Sequence, residues 1–135
     1  MKSHARVVIV GGGVVGVSAL YHLTKKGWSD VVLCERTELT AGSTWHAAGL
    51  LPLFNMSYSV GQIHKYSLAL YNELDSKTDQ SVGLRKVGNI RLATNESRMD
   101  EYKFYAGVAR TIGIEVEFLS PQELLEIWPF CNIEG

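Results

Sequence analysis

The chain of 135 residues is 46% hydrophobic and 20% charged, which is typical of a folded globular domain and excludes an intrinsically disordered one. Its 13 basic and 14 acidic residues give a formal net charge of −1. That balance leaves no basic surface for nucleic acid and no polybasic run for a membrane surface, so we expect neither among its partners.

The cysteines and the apolar stretches indicate whether the chain binds a metal and where in the cell it is located. Cys34 and Cys131 lack the spacing of a disulfide framework or a metal site, and no histidines or acids have metal-ligand spacing. We therefore predict no metal. The longest apolar stretch, residues 7–20, is too short and too rich in glycine to span a bilayer. No signal or transit peptide is recognisable before it, so we expect a cytoplasmic protein.

The first part of the chain predicts a β-α-β unit. Ala5–Val10 is a short apolar run rich in β-branched residues, as buried parallel strands are. The glycine-rich segment 11–16 predicts a turn, and the helix after it ends at Gly27, which suits a left-handed C-cap. A second buried strand, Val31–Cys34, completes the unit.

Helical periodicity returns at residues 60–74, after a segment dominated by small and polar residues. Glu73 and Lys77 have the spacing of an i,i+4 ion pair. The predicted inward face of this helix consists of Val60, Ile63, Ser67, Leu70 and Leu74.

The rest of the chain predicts two strands and two helices. Alternating hydrophobicity indicates strands at 87–94 and 115–119, with a helix over 96–112 between them. The segment 120–123, Ser-Pro-Gln-Glu, is a capping box that begins a short helix, and Pro129 ends it. The predicted inward residues of the longer helix are Met99, Tyr102, Ala106 and Ala109.

The glycine-rich turn has the G-x-G-x-x-G spacing of dinucleotide sites at Gly11, Gly13 and Gly16. In such sites the first glycine turns the chain, the second lets a pyrophosphate approach the backbone, and the third lets the helix pack close to the strands. The helix N-terminus attracts the phosphates. Glu35 follows the second strand, where the ribose-binding acid is expected. The pattern predicts a site for the ADP half of a dinucleotide; the alternative is a glycine-rich turn in an unrelated α/β protein.

These glycines do not distinguish FAD from NAD. Arg36 would suit the 2′-phosphate of NADP, whereas the neighbouring Glu35 would repel it, and Arg36 also fits an adenine pocket or a solvent-exposed position. The segment 39–50, LTAGSTWHAAGL, favours FAD. It is dense in small and hydroxyl-bearing residues that let a backbone lie against a ligand, and it carries one tryptophan and one histidine.

Together with VVIVGGGVVGVSALYHL and VVLCER, this string resembles the start of the glycine-oxidase/amino-acid-oxidase superfamily of flavoproteins. Within that superfamily it is similar to the dimethylglycine and sarcosine dehydrogenases. The segments VGNIRLATNESRMDEYK and SPQELLEIWP also resemble dimethylglycine dehydrogenases, so the likeness covers essentially the whole chain.

The resemblance implies an α/β fold. An FAD-binding, Rossmann-type (glutathione-reductase-like) βαβ unit would be followed by the start of an α+β substrate domain. The implied FAD-binding part covers residues 1–84 and the beginning of the substrate-binding (cap) domain covers 85–135. Both would be incomplete, so we expect an N-terminal piece of a longer protein whose catalytic residues lie beyond residue 135.

The resemblance also implies that His46 is joined through a ring nitrogen to the 8α carbon of FAD. The alternative is a histidine that contacts a non-covalent flavin or the backbone. The residues implied to contact the cofactor are Gly11, Gly13, Val14, Val15, Gly16, Glu35, Arg36, Gly42, Ser43, Thr44, Trp45, His46, Ala47, Ala48, Gly49 and Leu50.

The implied activity is FAD-dependent oxidation of an N-methylated amino acid, dimethylglycine or sarcosine, by hydride transfer to the flavin. An electron-transfer flavoprotein as electron acceptor and tetrahydrofolate in a C-terminal module are implied in the same way. Two alternatives stay open: another enzyme of the glycine-oxidase type with non-covalent FAD, and a non-catalytic subunit that a partner chain completes.

Overall fold

The computed structural model describes residues 3–133, which form a mixed helix and strand structure. None of the helices in that range is both long and apolar enough to cross a membrane. Contacts divide the chain into two compact units, one ending at Leu50 and the other beginning at Leu51. The domain boundary between residues 84 and 85 stays a prediction. In chain order the elements are β1 (Val7–Val10), α1 (Val14–Lys25), β2 (Val31–Cys34), a 3-10 turn (Ser43–His46), α2 (Tyr58–Lys77), α3 (Glu96–Thr111) and α4 (Pro121–Ile127).

The first unit contains the predicted β-α-β arrangement. β1 and β2 pair in parallel, with Val7 opposite Val31 and Val10 opposite Cys34, and α1 packs against both strands. Gly27 follows α1 with a φ of 84°, which confirms the predicted left-handed end of the helix.

Two details of these strands differ from the prediction. β1 begins at Val7 rather than Ala5. The sequence predicts a strand buried on both faces, yet the side chains of Val8 and Val10 are 56% and 87% exposed. Because side chains alternate along a strand, α1 covers only the face that carries Val7 and Ile9.

In the second unit α2 packs against α3. The buried apolar side chains of residues 3–133 all belong to this unit, and they are Tyr105, Ala106, Ala109, Ile112 and Leu124. The predicted burial of Ala106 and Ala109 is confirmed, whereas Met99 and Tyr102 are only half-buried.

The predicted inward face of α2 is wrong at its first two residues. Val60 and Ile63 are 41% and 63% exposed, whereas Gly61 is buried, and a Cβ on it would overlap the side chain of Ile112, the residue that follows α3. A glycine permits this close approach of two helices because it has no Cβ. The contact face of α2 therefore includes a residue that the hydrophobic pattern does not mark.

The predicted strands at 87–94 and 115–119 do not form. Arg91 attaches the first of these segments instead: its Nη2 donates to the Phe54 carbonyl at 3.0 Å, and its guanidinium lies 5.1 Å from the centre of the Phe54 ring. The segment is thus held by a side chain rather than by a strand ladder.

Two local predictions in this unit are confirmed. Ser120 and Glu123 form the reciprocal capping box at the start of α4, which satisfies N–H groups that the helix itself leaves unpaired. Glu73 and Lys77 form the i,i+4 ion pair, with 2.7 Å between Oε1 and Nζ.

Candidate cofactor site

The glycine-rich turn joins β1 to α1, and two of its glycines are required for geometric reasons. Gly11 has a φ of 104°, a conformation that side-chain-bearing residues rarely adopt. A Cβ on Gly16 would lie far inside the van der Waals distance of the Gly11 carbonyl oxygen and 3.3 Å from Ile9 Cγ2. Gly16 therefore lets α1 approach the end of β1, as the motif predicts.

Gly12, the middle glycine, is the residue that the sequence motif missed. It is buried, its N–H donates to Glu35 Oε2 at 2.7 Å, and its carbonyl accepts from the Thr40 N–H at 3.0 Å. A Cβ on Gly12 would lie 2.6 Å from Leu39 Cδ2. The sequence signal for this residue was the run of three consecutive glycines. The role of Gly12, however, depends on its contacts with Glu35 and Thr40, which lie more than twenty positions away.

Glu35 lies directly after β2, and donors surround its carboxylate. Oε1 accepts from the N–H groups of Arg36 and Thr37 at 2.6 and 3.0 Å and from the Thr37 hydroxyl at 3.3 Å. Backbone hydrogen bonds, that from Gly12 foremost, lower the pKa of Glu35 from 4.5 to about 2. The side chain is thus an anion near neutral pH, and Oε2, which takes up only the Gly12 N–H, retains capacity to accept another donor.

The segment after β2 folds back onto the glycine-rich turn at two points. Thr40 makes the bond to Gly12, and it does so with a φ of 70°, which is a strained conformation for a β-branched residue. Thr44 Oγ1 accepts from the Val14 N–H at 2.9 Å. A Cβ on Gly13 would lie 3.0 Å from the same Oγ1, so Gly13 makes room for Thr44 as well as for any ligand.

His46 ends the 3-10 turn that begins at Ser43. Its Nδ1 lies 3.1 Å from the Gly42 carbonyl oxygen. Because a carbonyl oxygen only accepts hydrogen bonds, Nδ1 is the donor in this contact, and in the neutral ring the lone pair is then on Nε2. The His46 ring is exposed, and the neighbouring Trp45 is 78% exposed. Nε2 is therefore accessible to a ligand.

The structure brings only part of the predicted set into mutual contact. Hydrogen bonds and close approach join the glycine-rich turn, Glu35, Thr44 and the start of α1. The Arg36 N–H also donates to Glu35. The other predicted residues are exposed, namely Val15, Gly42, Ser43, Trp45, His46, Ala47, Ala48, Gly49 and Leu50. Within residues 3–133, His, Cys, Asp and Glu side chains form no group of three that could hold a metal ion.

Comparison with known families assigns the chain to one of them. The sequence profile of the family described as FAD dependent oxidoreductase matches residues 6–135. The chain belongs to this FAD-dependent oxidoreductase family. The match includes the glycine-rich turn, Glu35 and the segment around His46, so the resemblance noted in the sequence is confirmed and the cofactor of the family is FAD.

Three individual proteins show what this oxidoreductase chain is similar to. It is 45% identical to rat mitochondrial dimethylglycine dehydrogenase over 133 aligned residues. This alignment covers 98% of the chain and 16% of the rat protein. It is 38% identical to human mitochondrial sarcosine dehydrogenase, over 99% of the chain and 15% of that protein. It is 37% identical to the mouse mitochondrial pyruvate dehydrogenase phosphatase regulatory subunit, over 98% of the chain and 15% of that protein.

The chain thus spans about a sixth of the length of these three relatives. It is homologous to an FAD-dependent region of dimethylglycine and sarcosine dehydrogenases, and the activity, substrate and partners of the whole protein are matters of inference. The three relatives are named mitochondrial proteins, while a cytoplasmic location of this protein stays a prediction.

Proposed function

We propose that the unit ending at Leu50 is a Rossmann-type, glutathione-reductase-like FAD-binding element that holds the ADP half of the cofactor. The observation that carries this proposal is the bond between Glu35 and Gly12, which ties the acid after β2 to the glycine-rich turn after β1. Glu35 and the glycine-rich turn, to which the proposal assigns the ribose and the phosphates, both follow the carboxyl ends of parallel strands and lie next to each other.

Glu35 fits a ribose. Its carboxylate is anionic, and Oε2 has room to accept a hydrogen bond from a ribose hydroxyl. The same charge disfavours a 2′-phosphate, so FAD suits the site better than NADP despite the adjacent Arg36. Glu35 alone thus supplies both the acceptor for a ribose hydroxyl and the preference for FAD over NADP.

The start of α1 fits an anion. Gly13 is its N-cap and supplies no side-chain hydrogen bond, and the first turn of the helix has no acid. In α2, α3 and α4, by contrast, the N-caps Ser57, Asn95 and Ser120 accept bonds from their own helices. Thr44 takes up the Val14 N–H of α1, but the N–H groups of Val15 and Gly16 have no side-chain acceptor among residues 3–133. The helix start therefore suits the pyrophosphate of a dinucleotide, since these N–H groups and the helix dipole favour negative charge.

We propose that His46 attaches covalently to the 8α carbon of the flavin through Nε2. The Gly42 carbonyl holds the proton on Nδ1 and turns the ring, so the free lone pair is on Nε2. Since this nitrogen is on an exposed ring, it is available to bond without unfolding of the turn. Ser43, Trp45 and the residues from Ala47 to Leu50 would line the cofactor, whereas the Thr44 hydroxyl is taken up by the start of α1.

The whole protein would oxidise an N-methylated amino acid, dimethylglycine or sarcosine. When bound, FAD supplies the acceptor for the hydride that leaves the substrate. The chain's own contribution is to bind, orient and retain the cofactor through Glu35, the start of α1 and His46. The names of the relatives support this substrate class. An electron-transfer flavoprotein as electron acceptor and tetrahydrofolate as a second ligand belong to the same proposal.

The test uses protein expressed from its complete reading frame and precipitated with acid. We expect flavin fluorescence to stay with the wild-type polypeptide and to leave His46→Ala, because only a covalent bond survives denaturation. His4→Ala is the matched control, since His4 is an exposed histidine whose ring bonds, within residues 3–133, to its neighbour Ser3. Release of flavin from the wild type would refute covalent attachment while leaving the nucleotide site intact.

A non-catalytic role is the second candidate, because one relative is named a regulatory subunit. The two candidates differ in what substrate does to the flavin. Anaerobic addition of dimethylglycine or sarcosine bleaches the flavin absorbance of a dehydrogenase and leaves that of a regulatory protein unchanged.

A further inference from the structure

Thr44 links the turn that carries His46 to the start of α1. Its Oγ1 accepts from the Val14 N–H at 2.9 Å, thirty residues away in the sequence. Val14 is the first residue of α1, and the preceding Gly13 supplies no side-chain cap. A hydroxyl from a distant turn therefore occupies a position that a helix usually fills with its own N-cap residue.

The same 3-10 turn holds His46 two residues further on. Within it, the Ala47 N–H donates to the Thr44 carbonyl at 3.2 Å and the Trp45 N–H donates to the Gly42 carbonyl at 3.2 Å. His46 Nδ1 is bonded to that same Gly42 carbonyl. Each of these bonds lies inside the turn, so they fix the shape of the turn but not its distance from α1.

Burial points to Thr44 as the side chain that fixes that distance. Thr44 is half-buried, whereas Ser43, Trp45 and His46 are exposed. A second link exists in the backbone, where Thr40 bonds to Gly12 and its carbonyl accepts from the Trp45 N–H at 3.1 Å. Thr44 thus makes the side-chain bond that runs from the turn of His46 to α1.

We propose that Thr44 is a positioning residue, whose hydroxyl holds the His46 ring at the place from which Nε2 bonds to the flavin. The proposal rests on the proposed covalent attachment. In that attachment Nε2 forms a bond to the 8α carbon, which loses a proton, and Nδ1 loses its own proton. The two protons and an electron pair reduce the flavin ring, and dioxygen then reoxidises it and becomes hydrogen peroxide.

The experiment follows the formation of acid-stable flavin after FAD is added to flavin-free protein from the complete reading frame, under air. Thr44→Val removes the hydroxyl at nearly constant volume, and Thr44→Ser retains it. Thr24→Val is the control, because Thr24 is an exposed threonine of the same unit whose hydroxyl donates to carbonyls of its own helix, those of Leu20 and Tyr21. Total flavin before acid treatment is measured in every variant.

We expect Thr44→Val to attach flavin about tenfold more slowly, the factor that corresponds to one ordinary hydrogen bond. Thr44→Ser and Thr24→Val should attach it at the wild-type rate, and all variants should bind the same total flavin. An unchanged rate in Thr44→Val would overturn the proposal. Loss of total flavin in that variant would also overturn it, by making Thr44 a binding residue rather than a positioning residue.

The outcome is separable from that of the proposed function. If wild-type protein forms no acid-stable flavin, covalent attachment itself fails. If the wild type forms it and His46→Ala does not, a normal rate in Thr44→Val contradicts the role of Thr44 alone.

Discussion

Glu35 Oε2 accepts the Gly12 N–H at 2.7 Å, so the acid after the second strand is bonded to the turn after the first. The glycine-rich turn and the residue after β2, which are 23 residues apart in the sequence, thereby lie together at one edge of the sheet. The bond has two consequences: it keeps the Glu35 carboxylate ionised, and it orients the oxygen that would meet a ribose hydroxyl. It also gives the site a specific dependence on pH.

Glu35→Gln should remove the part of the pH dependence of stability that comes from the Glu35 carboxylate. The folded-state pKa of Glu35 is lowered from 4.5 to about 2, so its stabilising bonds are fully present above pH 4.5 and are lost as the pH falls towards 2. The unfolding temperature of the wild type should therefore exceed that of Glu35→Gln at pH 7, and the difference should shrink by pH 3. Circular dichroism melts check this.

Glu126→Gln, which removes an exposed acid from α4, controls for the loss of charge alone. A difference between wild type and Glu35→Gln that is equally large at pH 3 and pH 7 would contradict the assigned bonds.

Gly16→Ala should destabilise the flavin-binding unit and lower its flavin content. The new methyl group would collide with the backbone carbonyl of Gly11, which cannot rotate away, and such overpacking costs about 1–3 kcal/mol. Gly107→Ala is the matched control, because Gly107 also lies inside a helix but has nothing within 4 Å of its Cβ position. We expect Gly107→Ala to gain up to about 1 kcal/mol from helix propensity.

Thermal unfolding and bound flavin per chain are the measurements for this pair. Equal melting temperatures for Gly16→Ala and Gly107→Ala would show that α1 does not approach β1 as closely as the structure has it.

Gly61→Ala should strain the contact between α2 and α3, and a second substitution should relieve it. The new Cβ would overlap Ile112 Cδ1, and Ile112→Val removes that one methyl group. Ile112→Val alone should cost about 0.5–1.5 kcal/mol. The double variant should be more stable than the sum of the single effects indicates, as a denaturation cycle would measure. Strict additivity would contradict the contact.

Sequence reasoning succeeded where the determinants are local. The capping box of Ser120 and Glu123 uses residues three positions apart, and Gly27 ends α1 because its own φ of 84° suits a glycine. The turn of the dinucleotide motif was also predictable from local sequence, since Gly16 lies next to Gly11 within the single turn that joins β1 to α1. None of these features needs a partner from elsewhere in the chain.

It failed where a distant partner decides the outcome. The alternation at 87–94 and 115–119 marks segments suited to a half-buried surface, but a strand needs a ladder partner, and none pairs with them within residues 3–133. On α2 the pattern favoured Ile63, whereas the small size of Gly61 lets Ile112 pack against it. In the site, the roles of Gly12 and Thr44 depend on bonds across more than twenty residues.

The most direct test of the account is the location of the flavin on the polypeptide. Digestion of the holoprotein with trypsin should release residues 37–65 as one peptide, since no lysine or arginine lies between Arg36 and Lys65. Tandem mass spectrometry should find the flavin on His46 and leave His64, in the same peptide, unmodified. An unmodified peptide accompanied by free FAD, or a flavin on His64, would contradict the central claim.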